Sequence, residues 1–474
     1  MTSTAIVWFR RDLRLHDHPA LAAATASADA VIPVFVVDDR LLGGRFASPN
    51  RAWFMRESVA ALSVALSERG AALRILRGAP EEVLPAFAAE AGATAVFVSR
   101  DATPYGRRRD GATAERLAAH GIALRARSGL YVHEPDAIAT ADGRPCSVFG
   151  AFRRAWDAAP RRALLSAPDR IPGPAGRPDE VPDLGAPSAD PAHIPAPGEA
   201  AARERLARWV GSDVAGMGGL DGYATDRDRL DHDATSHLGQ DLRWGLLSPL
   251  EVAIRADGPG DGRRIFLAEL AWREFYAHVL WHHPRLLAEP FQRAFAGLPV
   301  RDDQVASAAW AEGRTGYPVV DAAMRQLRLT GFMPNRARMI AASFLTKHLL
   351  LDRAVGEAEF MRHLVDGDVA SNNGGWQWTA STGTDPQPYF RVFNPVLQGE
   401  RFDPQGTWVR RWVPELRDVL AAAIHHPWTM DAEAQKAAGC RIGVDYPAPI
   451  VDHAEARARA LAVYGATKAG AAAR

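Results

Sequence analysis

Short apolar runs alternate with alanine-rich amphipathic stretches along the first 135 residues of this 474-residue chain. The apolar runs are rich in β-branched residues and predict strands at positions 5–9, 31–37, 73–76, 95–98 and 123–124. The amphipathic stretches predict helices at positions 52–69, 81–91 and 112–119. Strands that alternate with helices indicate βαβ units, whose crossover helices bury a parallel sheet on both faces. The pattern therefore predicts a doubly wound α/β domain over residues 1–135.

The turn after the first predicted strand restricts what this domain can bind. Parallel sheets bind ligands at the carboxyl ends of their strands. Residues 9–14 read Phe-Arg-Arg-Asp-Leu-Arg, and the glycine-rich fingerprint of a dinucleotide site is missing there. An ordinary dinucleotide site in this domain is therefore not expected.

The composition changes twice further along the chain. Residues 157–200 contain ten prolines, which remove backbone donors and bias their neighbours away from helix. From residue 201 onwards strand signals nearly vanish, and helical periodicity recurs at positions 264–280, 318–329, 335–352 and 357–364. We therefore predict a proline-rich connector over residues 136–200 and an all-α domain over residues 201–474.

Charge and cysteine content exclude several classes of protein. The formal net charge is zero, so a polyanion would need a local basic patch. The two cysteines, Cys146 and Cys440, are too few for a disulfide framework or a cysteine-based zinc site. No signal peptide is recognisable, and no apolar run approaches the roughly 20 residues of a membrane span. These features predict a cytoplasmic protein without a membrane partner or a metal site, and a monomer is the default expectation.

Three residues of one predicted helix share a face. Glu269, Trp272 and Arg273 stand at positions i, i+3 and i+4. A carboxylate, a large ring and a guanidinium on one face can hold a stacked base and its phosphate. The alternative is a surface salt bridge beside a core tryptophan, and these residues alone do not separate the two.

A basic stretch surrounds a predicted helix start, where Gly331 and Pro334 precede Asn335. Between positions 325 and 353 six basic residues stand against one acid, Asp352. The six are Arg325, Arg328, Arg336, Arg338, Lys347 and Arg353. This local excess of positive charge is a candidate phosphate track, and a solvated helix face is the alternative.

Two further segments combine residue types that suit a heteroaromatic ligand. Residues 366–378 hold two acids, two asparagines, two adjacent glycines and two tryptophans. Adjacent glycines let a backbone approach a ligand, and amides both donate to and accept from a ring edge. Residues 235–239 carry hydroxyls before a predicted helix, which suits either a pyrophosphate or a simple N-cap.

Together these segments resemble the photolyase/cryptochrome family, and most closely its class I cyclobutane pyrimidine dimer photolyases. The resemblance rests on six ordered motifs at residues 7–17, 269–276, 315–327, 335–339, 366–378 and 389–395. It covers nearly the whole chain except the proline-rich connector. It implies an N-terminal antenna domain, a helical domain that binds FAD, and light-driven repair of cyclobutane pyrimidine dimers in DNA.

The resemblance also implies roles for matching residues of this chain. FAD contacts are expected from Tyr223, Thr235, Ser236, His237, Leu238, Gly239, Phe266, Arg338, Asp366, Asp368 and Asn372. Catalysis is expected from Glu269 and Asn335, and electron transfer from Trp376. Contacts with the dimer or DNA are expected from Arg227, Trp272, Arg273, Arg336, Met339, Trp378 and Gln398. In this scheme Asn372 faces flavin N5, and burial against Trp272 favours a protonated Glu269 that hydrogen-bonds to the dimer.

An antenna chromophore is part of the same resemblance. Folate-binding relatives carry an acid just before the arginine-rich stretch at residues 107–109, where this chain has Gly106. The sequence is more similar to relatives that bind an 8-hydroxy-5-deazaflavin. The contacts expected for that chromophore are Phe35, Arg51, Asp101 and Arg243. An antenna flavin or an empty site is the alternative.

Two departures from the family pattern modify these expectations. The usual relay of three tryptophans keeps only Trp376, because Arg353 and Val300 stand at its middle and distal positions. The alternative routes for photoreduction of FAD are Trp310, Trp378 and Trp408. In addition, Gly239 replaces a common serine and is expected to lose one phosphate contact.

The rival functions are a cryptochrome-like blue-light sensor, a photolyase for (6-4) lesions and a dark flavin oxidoreductase. Relatives that repair (6-4) lesions carry histidine where this chain has Pro334-Asn335. The altered tryptophan relay favours a sensor, whereas the intact repair residues favour dimer repair, and no hydride-donor site is visible. The expected partner is UV-damaged DNA, single- or double-stranded, with the dimer flipped out, and no obligate protein partner is expected.

Overall fold

The N-terminal domain is built on one parallel sheet. A computed structural model describes residues 3–174, 176–211, 219–384 and 391–472. The strands are β1 Thr4–Phe9, β2 Ala30–Val37, β3 Arg74–Arg77, β4 Ala93–Ser99 and β5 Ala123–Arg127. They pair in the order β3-β2-β1-β4-β5, and every pairing is parallel. The accompanying helices are α1 Pro19–Ser27, α2 Asp39–Leu42, α3 Pro49–Ser67, α4 Pro80–Glu90, α5 Pro104–Ala119 and α6 Phe149–Ala158. The predicted α/β fold is confirmed.

Helix starts in this domain follow capping signals more closely than hydrophobic periodicity. Helix α5 begins at Pro104, well before the predicted position 112, because the Thr103 hydroxyl accepts a hydrogen bond from Gly106 N at 3.0 Å. Helix α3 likewise begins at Pro49, after Ser48 as its cap. A side-chain cap and a proline in the first turn extend a helix beyond its apolar stripe.

The two faces of the sheet pack into different layers. One face packs against α4 and α5 through a cluster that includes Ile6, Trp8, Val34, Val96 and Leu117. The other face belongs to a larger cluster that includes Val7, Phe9 and Phe35 and continues through Trp209, Leu246 and Phe275. Since one apolar cluster runs from the sheet into the helical part of the chain, the two domains share a core.

The second half of the chain is helical, as predicted. Its helices are α7 Glu199–Val210, α8 Gly219–Asp226, α9 Gly239–Trp244, α10 Pro249–Ala256, α11 Asp261–His282, α12 Gln304–Ala311, α13 Pro318–Thr330, α14 Asn335–Ser343, α15 Arg353–His363, α16 Val369–Thr379, α17 Pro395–Phe402, α18 Thr407–Trp412, α19 Ala432–Ala437 and α20 His453–Ala472. The helix predicted over 335–352 ends early in a π-turn at Phe344–His348, where Leu349 N donates to Phe344 O. Among the described residues no helix is both long and apolar enough to cross a membrane.

The proline-rich connector is tied to both domains by backbone hydrogen bonds. Val31 N in β2 donates to Pro172 O at 2.6 Å, and Asp179 N donates to Leu73 O at 2.9 Å. Further on, Asp190 N donates to Leu329 O of α13 at 2.8 Å. The connector therefore runs along the α/β domain before it reaches the helices. The boundaries at residues 135 and 200 stay predictions.

A buried carboxyl near this junction makes stability depend on pH. Both carboxylate oxygens of Glu134 are buried without a hydrogen-bond partner among the described residues, and Arg100 Nη1 lies 3.8 Å away. Burial raises the pKa of Glu134 to about 7. Because this pKa lies above that of an unfolded glutamate, its contribution to stability is present below about pH 4.5 and is lost as the pH rises towards 7.

We expect Glu134→Gln to stabilise the protein at pH 8 by roughly 1–3 kcal/mol and to change little at pH 4.5, because it removes the cost of burying the charge. Thermal unfolding at the two pH values measures the difference. The exposed Glu115→Gln serves as the control and should show no such pH-dependent gain. An equal shift for Glu134→Gln at both pH values would contradict an ionisation penalty.

Candidate functional site

A cavity of about 450 Å³ opens in the helical domain between α9, α11, α14, α15 and α16. Many residues singled out from the sequence line it: Arg227, Gly239, Arg243, Glu269, Trp272, Arg273, Asn335, Arg338, Met339, Asp366, Asp368, Asn372, Trp376 and Trp378. They come from segments more than a hundred positions apart. The fold therefore brings the separate motifs to one place.

Other predicted site residues do not line this cavity: Tyr223, Thr235, Ser236, His237, Leu238, Phe266, Arg336 and Gln398. Tyr223 and Phe266 pack edge to face at 5.7 Å, beside Trp209. The His237 ring lies 4.4 Å from that of Phe332, and its Nε2 pairs with Asp233 at 2.5 Å. These contacts involve Tyr223, Phe266 and His237, and the roles of all eight residues towards FAD or DNA stay predictions.

An ion pair forms one polar wall of the cavity. Arg338 donates to Met333 O at 2.7 Å and to Asp366 Oδ2 at 2.8 Å. The second carboxylate oxygen of Asp366 is buried without a hydrogen-bond partner among the described residues. A Cβ on Gly239 would lie 2.6 Å from Asp366 Oδ2. Any side chain at position 239 would therefore clash with the Asp366 carboxylate. This clash is a steric reason for glycine in place of the serine that is common in the family.

Asp368 joins the cavity to the α/β domain. Its Oδ1 caps α16 by accepting from Ala370 N and Ser371 N at 3.1 and 3.0 Å. Its Oδ2 accepts from Arg11 Nη2 at 2.7 Å, and Arg11 lies just beyond the carboxyl end of β1. Burial alone would raise the pKa of Asp368, but Arg11 and the nearby Arg243 and Arg273 lower it to about 2. Asp368 is therefore charged throughout the physiological range.

Arg11 was missed as a candidate site residue although a signal for it was present. It stands at the carboxyl end of the first strand, which is the ligand edge of a parallel sheet. Its second carboxylate neighbour is Asp101, at 3.7 Å. The sequence pattern could not show that this edge faces the helical domain.

The residues assigned to an antenna chromophore lie on both sides of the domain boundary. Phe35 is buried in β2, and Asp101 is held by Arg109 at 3.3 Å. Arg51 donates to Leu364 O at 2.9 Å and is itself buried. Arg243 instead lines the cavity and donates to Gly367 O at 2.9 Å. The antenna assignment stays a prediction.

Glu269 differs from its expected environment. Its carboxyl is 33% exposed, and Oε1 accepts from Arg227 Nη1 at 2.6 Å. The Trp272 indole stacks on Phe149, with ring centroids 3.8 Å apart. The expected burial of this carboxyl is wrong, because a third of it is exposed and it pairs with Arg227.

Trp376 is buried and has one tryptophan neighbour among the described rings. Its ring lies 6.1 Å from Trp310 and 4.9 Å from Phe360. The Trp310 indole nitrogen donates to Ala341 O at 3.0 Å. Arg353, at the usual middle position of the relay, pairs instead with Glu357 at 3.0 Å. Of the three alternative electron-transfer routes, through Trp310, Trp378 or Trp408, the geometry favours the one through Trp310.

The basic excess between positions 325 and 353 does not form an open phosphate track. Four of the six cations pair with acids distant in the chain: Arg325 with Glu415, Arg328 with Glu359, Arg336 with Asp228 and Arg338 with Asp366. A fifth, Arg353, pairs with Glu357 one turn further along α15. The sixth, Lys347, is buried. Tertiary pairing has neutralised a charge excess that looked local in the sequence.

Both halves of the chain match known protein families. The sequence profile described as "DNA photolyase" matches residues 5–174, and the one described as "FAD binding domain of DNA photolyase" matches residues 266–466. The sheet domain and the cavity-bearing helical domain thus correspond to the two parts of a light-using flavoprotein. A deoxyribodipyrimidine photo-lyase of Agrobacterium fabrum is 40% identical, over 98% of each chain. The chain belongs to the DNA photolyase family.

Solved structures agree with this relationship. A bacterial class III photolyase from Agrobacterium tumefaciens superimposes with a TM-score of 0.92 at 39% identity, covering 99% of this chain and 98% of that one. A cryptochrome of Synechocystis sp. superimposes with a TM-score of 0.88 at 31% identity, covering 97% of this chain and 99% of that one. The motif that begins at Tyr389 falls partly on residues 385–390, outside the described residues.

The cavity wall suits a ligand such as FAD, which carries both polar and aromatic groups. Three polar atoms of cavity residues are buried without a hydrogen-bond partner among the described residues: Arg243 Nη1, Asp366 Oδ1 and Trp376 Nε1. A buried polar group without a partner costs free energy, and a bound polar ligand removes that cost. The residues present therefore fit the FAD that the family binds.

Proposed function

We propose that this protein repairs cyclobutane pyrimidine dimers in DNA with light, as a deoxyribodipyrimidine photo-lyase. The observation that carries the proposal is the single cavity that joins Glu269, Asn335 and Trp378 to Arg338 and Asp368. The first group suits a pyrimidine dimer, and the second suits a flavin. Relatives named deoxyribodipyrimidine photo-lyase, at 40% identity over almost the full chain, support the same activity.

The cofactor supplies the electron for repair, and the protein positions the cofactor and sets the charges around it. FAD, when bound and reduced, supplies the light-driven electron that splits the dimer. Asn372 lies in the cavity wall as a neutral amide, and its Nδ2 is held by donation to Glu357 O at 3.0 Å. Arg338, Asp366 and Asp368 supply fixed charges around the same ligand.

The remaining cavity residues would hold the dimer. Glu269 and Asn335 can hydrogen-bond to the polar edge of the pyrimidines, while Trp272, Met339 and Trp378 offer apolar walls. The dimer must leave the duplex to enter, at a cost of a few kcal/mol that is lowest for bases already unpaired by damage. Arg227, Arg273, Arg336 and Gln398 would hold phosphates or the cavity rim.

We also propose that an antenna of the 8-hydroxy-5-deazaflavin type binds near Phe35, Arg51, Asp101 and Arg243. Gly106 supports this choice over a folate, because it takes the place of the acid found in folate-binding relatives. Denaturing the purified protein and recording the absorbance of the released chromophores tests the proposal. A folate or a second flavin in the extract would contradict it.

A blue-light sensor without repair activity is the second candidate. It is supported by the 31% identical cryptochrome structure and by the loss of two tryptophans at Arg353 and Val300. The two candidates differ in one result, because a sensor would leave the dimers intact after illumination. The repair assay below therefore separates them.

Chemically reduced protein is expected to restore pyrimidine absorbance when single-stranded DNA that contains dimers is illuminated anaerobically, and not in the dark. Glu269→Ala should lower the repair yield severalfold, because it removes a substrate hydrogen bond worth roughly 1–3 kcal/mol. Glu269→Gln replaces the carboxyl by an amide that still forms hydrogen bonds, so its repair yield should lie between those of Glu269→Ala and the parent. Glu433→Ala removes an exposed glutamate and is the control. No recovery by protein loaded with reduced FAD would refute repair.

A further inference from the structure

Four alternating charges form a chain that starts at Glu269 and Arg227 in the cavity wall and continues to Asp228 and Arg336 outside it. Glu269 accepts from Arg227 Nη1 at 2.6 Å, and Arg227 Nε lies 4.0 Å from Asp228 Oδ1. Asp228 Oδ2 in turn accepts from Arg336 Nη2 at 2.6 Å. Asp228 stands in the turn after α8, and its side chain is 33% exposed. It is thus placed between two arginines that the proposed function assigns to DNA.

The Arg336 guanidinium is held by an ion pair and an aromatic ring, but one of its nitrogens has no hydrogen-bond partner among the described residues. Its guanidinium lies over the Phe402 ring, 4.4 Å from the ring centroid, and its side chain is only 18% exposed. Its Nε is buried without a hydrogen-bond partner among the described residues. A phosphate oxygen and the Asp228 carboxylate are both anionic acceptors, and they compete for the same guanidinium.

We propose that Asp228 is a specificity-determining residue that couples phosphate binding at Arg336 to the release of Glu269. When a DNA phosphate takes over Arg336, Asp228 turns to Arg227, whose Nε is already 4.0 Å away. Arg227 is then paired, and Glu269 becomes available to the flipped dimer. Both kinds of DNA must displace Asp228 from Arg336, which weakens their binding. Only dimer-containing DNA then forms a hydrogen bond with the released Glu269, which strengthens its binding. The inference rests on the proposed function.

Asp228→Asn removes the competitor without changing the size of the side chain. Undamaged DNA is expected to bind about threefold to tenfold more tightly, with a salt dependence steeper by about one phosphate contact. The ratio of affinities for dimer-containing and undamaged DNA should fall. Asp228→Glu keeps the charge and should behave like the parent. Asp39→Asn breaks the exposed pair with Arg77 in the α/β domain and gives the same change in net charge as a control.

A double-mutant cycle tests the coupling itself. In the parent, Glu269→Ala should weaken the binding of dimer-containing DNA in the dark. In the Asp228→Asn background the same change should have a smaller effect, because Glu269 stays tied to Arg227. A purely structural role of Asp228 would not alter this difference. FAD content and circular dichroism establish that each variant is folded.

The outcomes separate this inference from the proposed function. If the parent does not prefer dimer-containing DNA, the proposed function itself fails. If the parent has that preference and Asp228→Asn keeps the parent's affinity ratio, salt dependence and Glu269→Ala effect, only the role of Asp228 is refuted.

Discussion

Replacement of Trp376 by phenylalanine is expected to slow the photoreduction of bound FAD about tenfold or more, while chemically reduced protein still repairs dimers. Trp376 lines the cavity and is only 2% exposed, so an electron donor elsewhere in the protein must act through it or bypass it. Electron tunnelling weakens steeply with distance, and phenylalanine is far harder to oxidise than tryptophan. Absorbance of FAD during illumination with an external reductant measures the rate.

The same measurement locates the next donor. Trp310→Phe should also slow photoreduction, because its ring is 6.1 Å from that of Trp376. Trp408→Phe is the matched control: its indole nitrogen is bound to Gln326 Oε1 at 3.1 Å, and its ring makes no contact with Trp376 among the described ring pairs. Photoreduction of Trp376→Phe at the parent rate would refute the whole route, and a loss confined to Trp408→Phe would refute the choice of Trp310.

Gly245→Ala is expected to destabilise the protein by about 2–4 kcal/mol. Gly245 ends α9 with φ +63°, and an added Cβ would lie 2.1 Å from Arg11 O and 2.7 Å from Asp12 Cα. Leu13 N donates to Trp244 O at 3.1 Å across the same contact. A methyl group there forces apart the backbone of two domains that share one core.

Gly92→Ala is the matched control for this prediction. Gly92 has the same φ of +63°, but an added Cβ would have no neighbour within 4 Å. It should cost only the roughly 1–2 kcal/mol of the left-handed conformation. Urea unfolding of both variants isolates the packing contribution as their difference. Equal losses would show that the contact between Gly245 and Arg11 contributes nothing.

Much of the fold could be predicted because the responsible interactions are local. A strand buried on both faces is an apolar run, and each predicted run lies within or beside an observed strand. Boundaries were less accurate where a cap decides them, as at Thr103, or where a π-turn interrupts a continuous apolar stripe, as at Phe344–His348. The motifs themselves were enough to select most of the side chains that line the cavity.

The charges of the site could not be predicted in the same way. The excess of basic residues between positions 325 and 353 is real in the sequence, but the carboxylates that pair with Arg336 and Arg325 come from Asp228 and Glu415. The exposure of Glu269 likewise could not be predicted, because the carboxyl pairs with Arg227, 42 positions away. Each of these outcomes depends on a partner far away in the chain.

The sequence by itself determined the α/β and helical halves, because periodicity is a property of neighbouring residues, and its resemblance to a known family implied the chemical class and many of the side chains that line the cavity. Only the tertiary structure decided which charges are neutralised, that Arg11 reaches Asp368 across the domain boundary, and that Trp310 is the tryptophan beside Trp376. Arg11 and Asp368 are 357 positions apart. No local pattern encodes such a contact, since it arises when the sheet edge and the helices bury a common core.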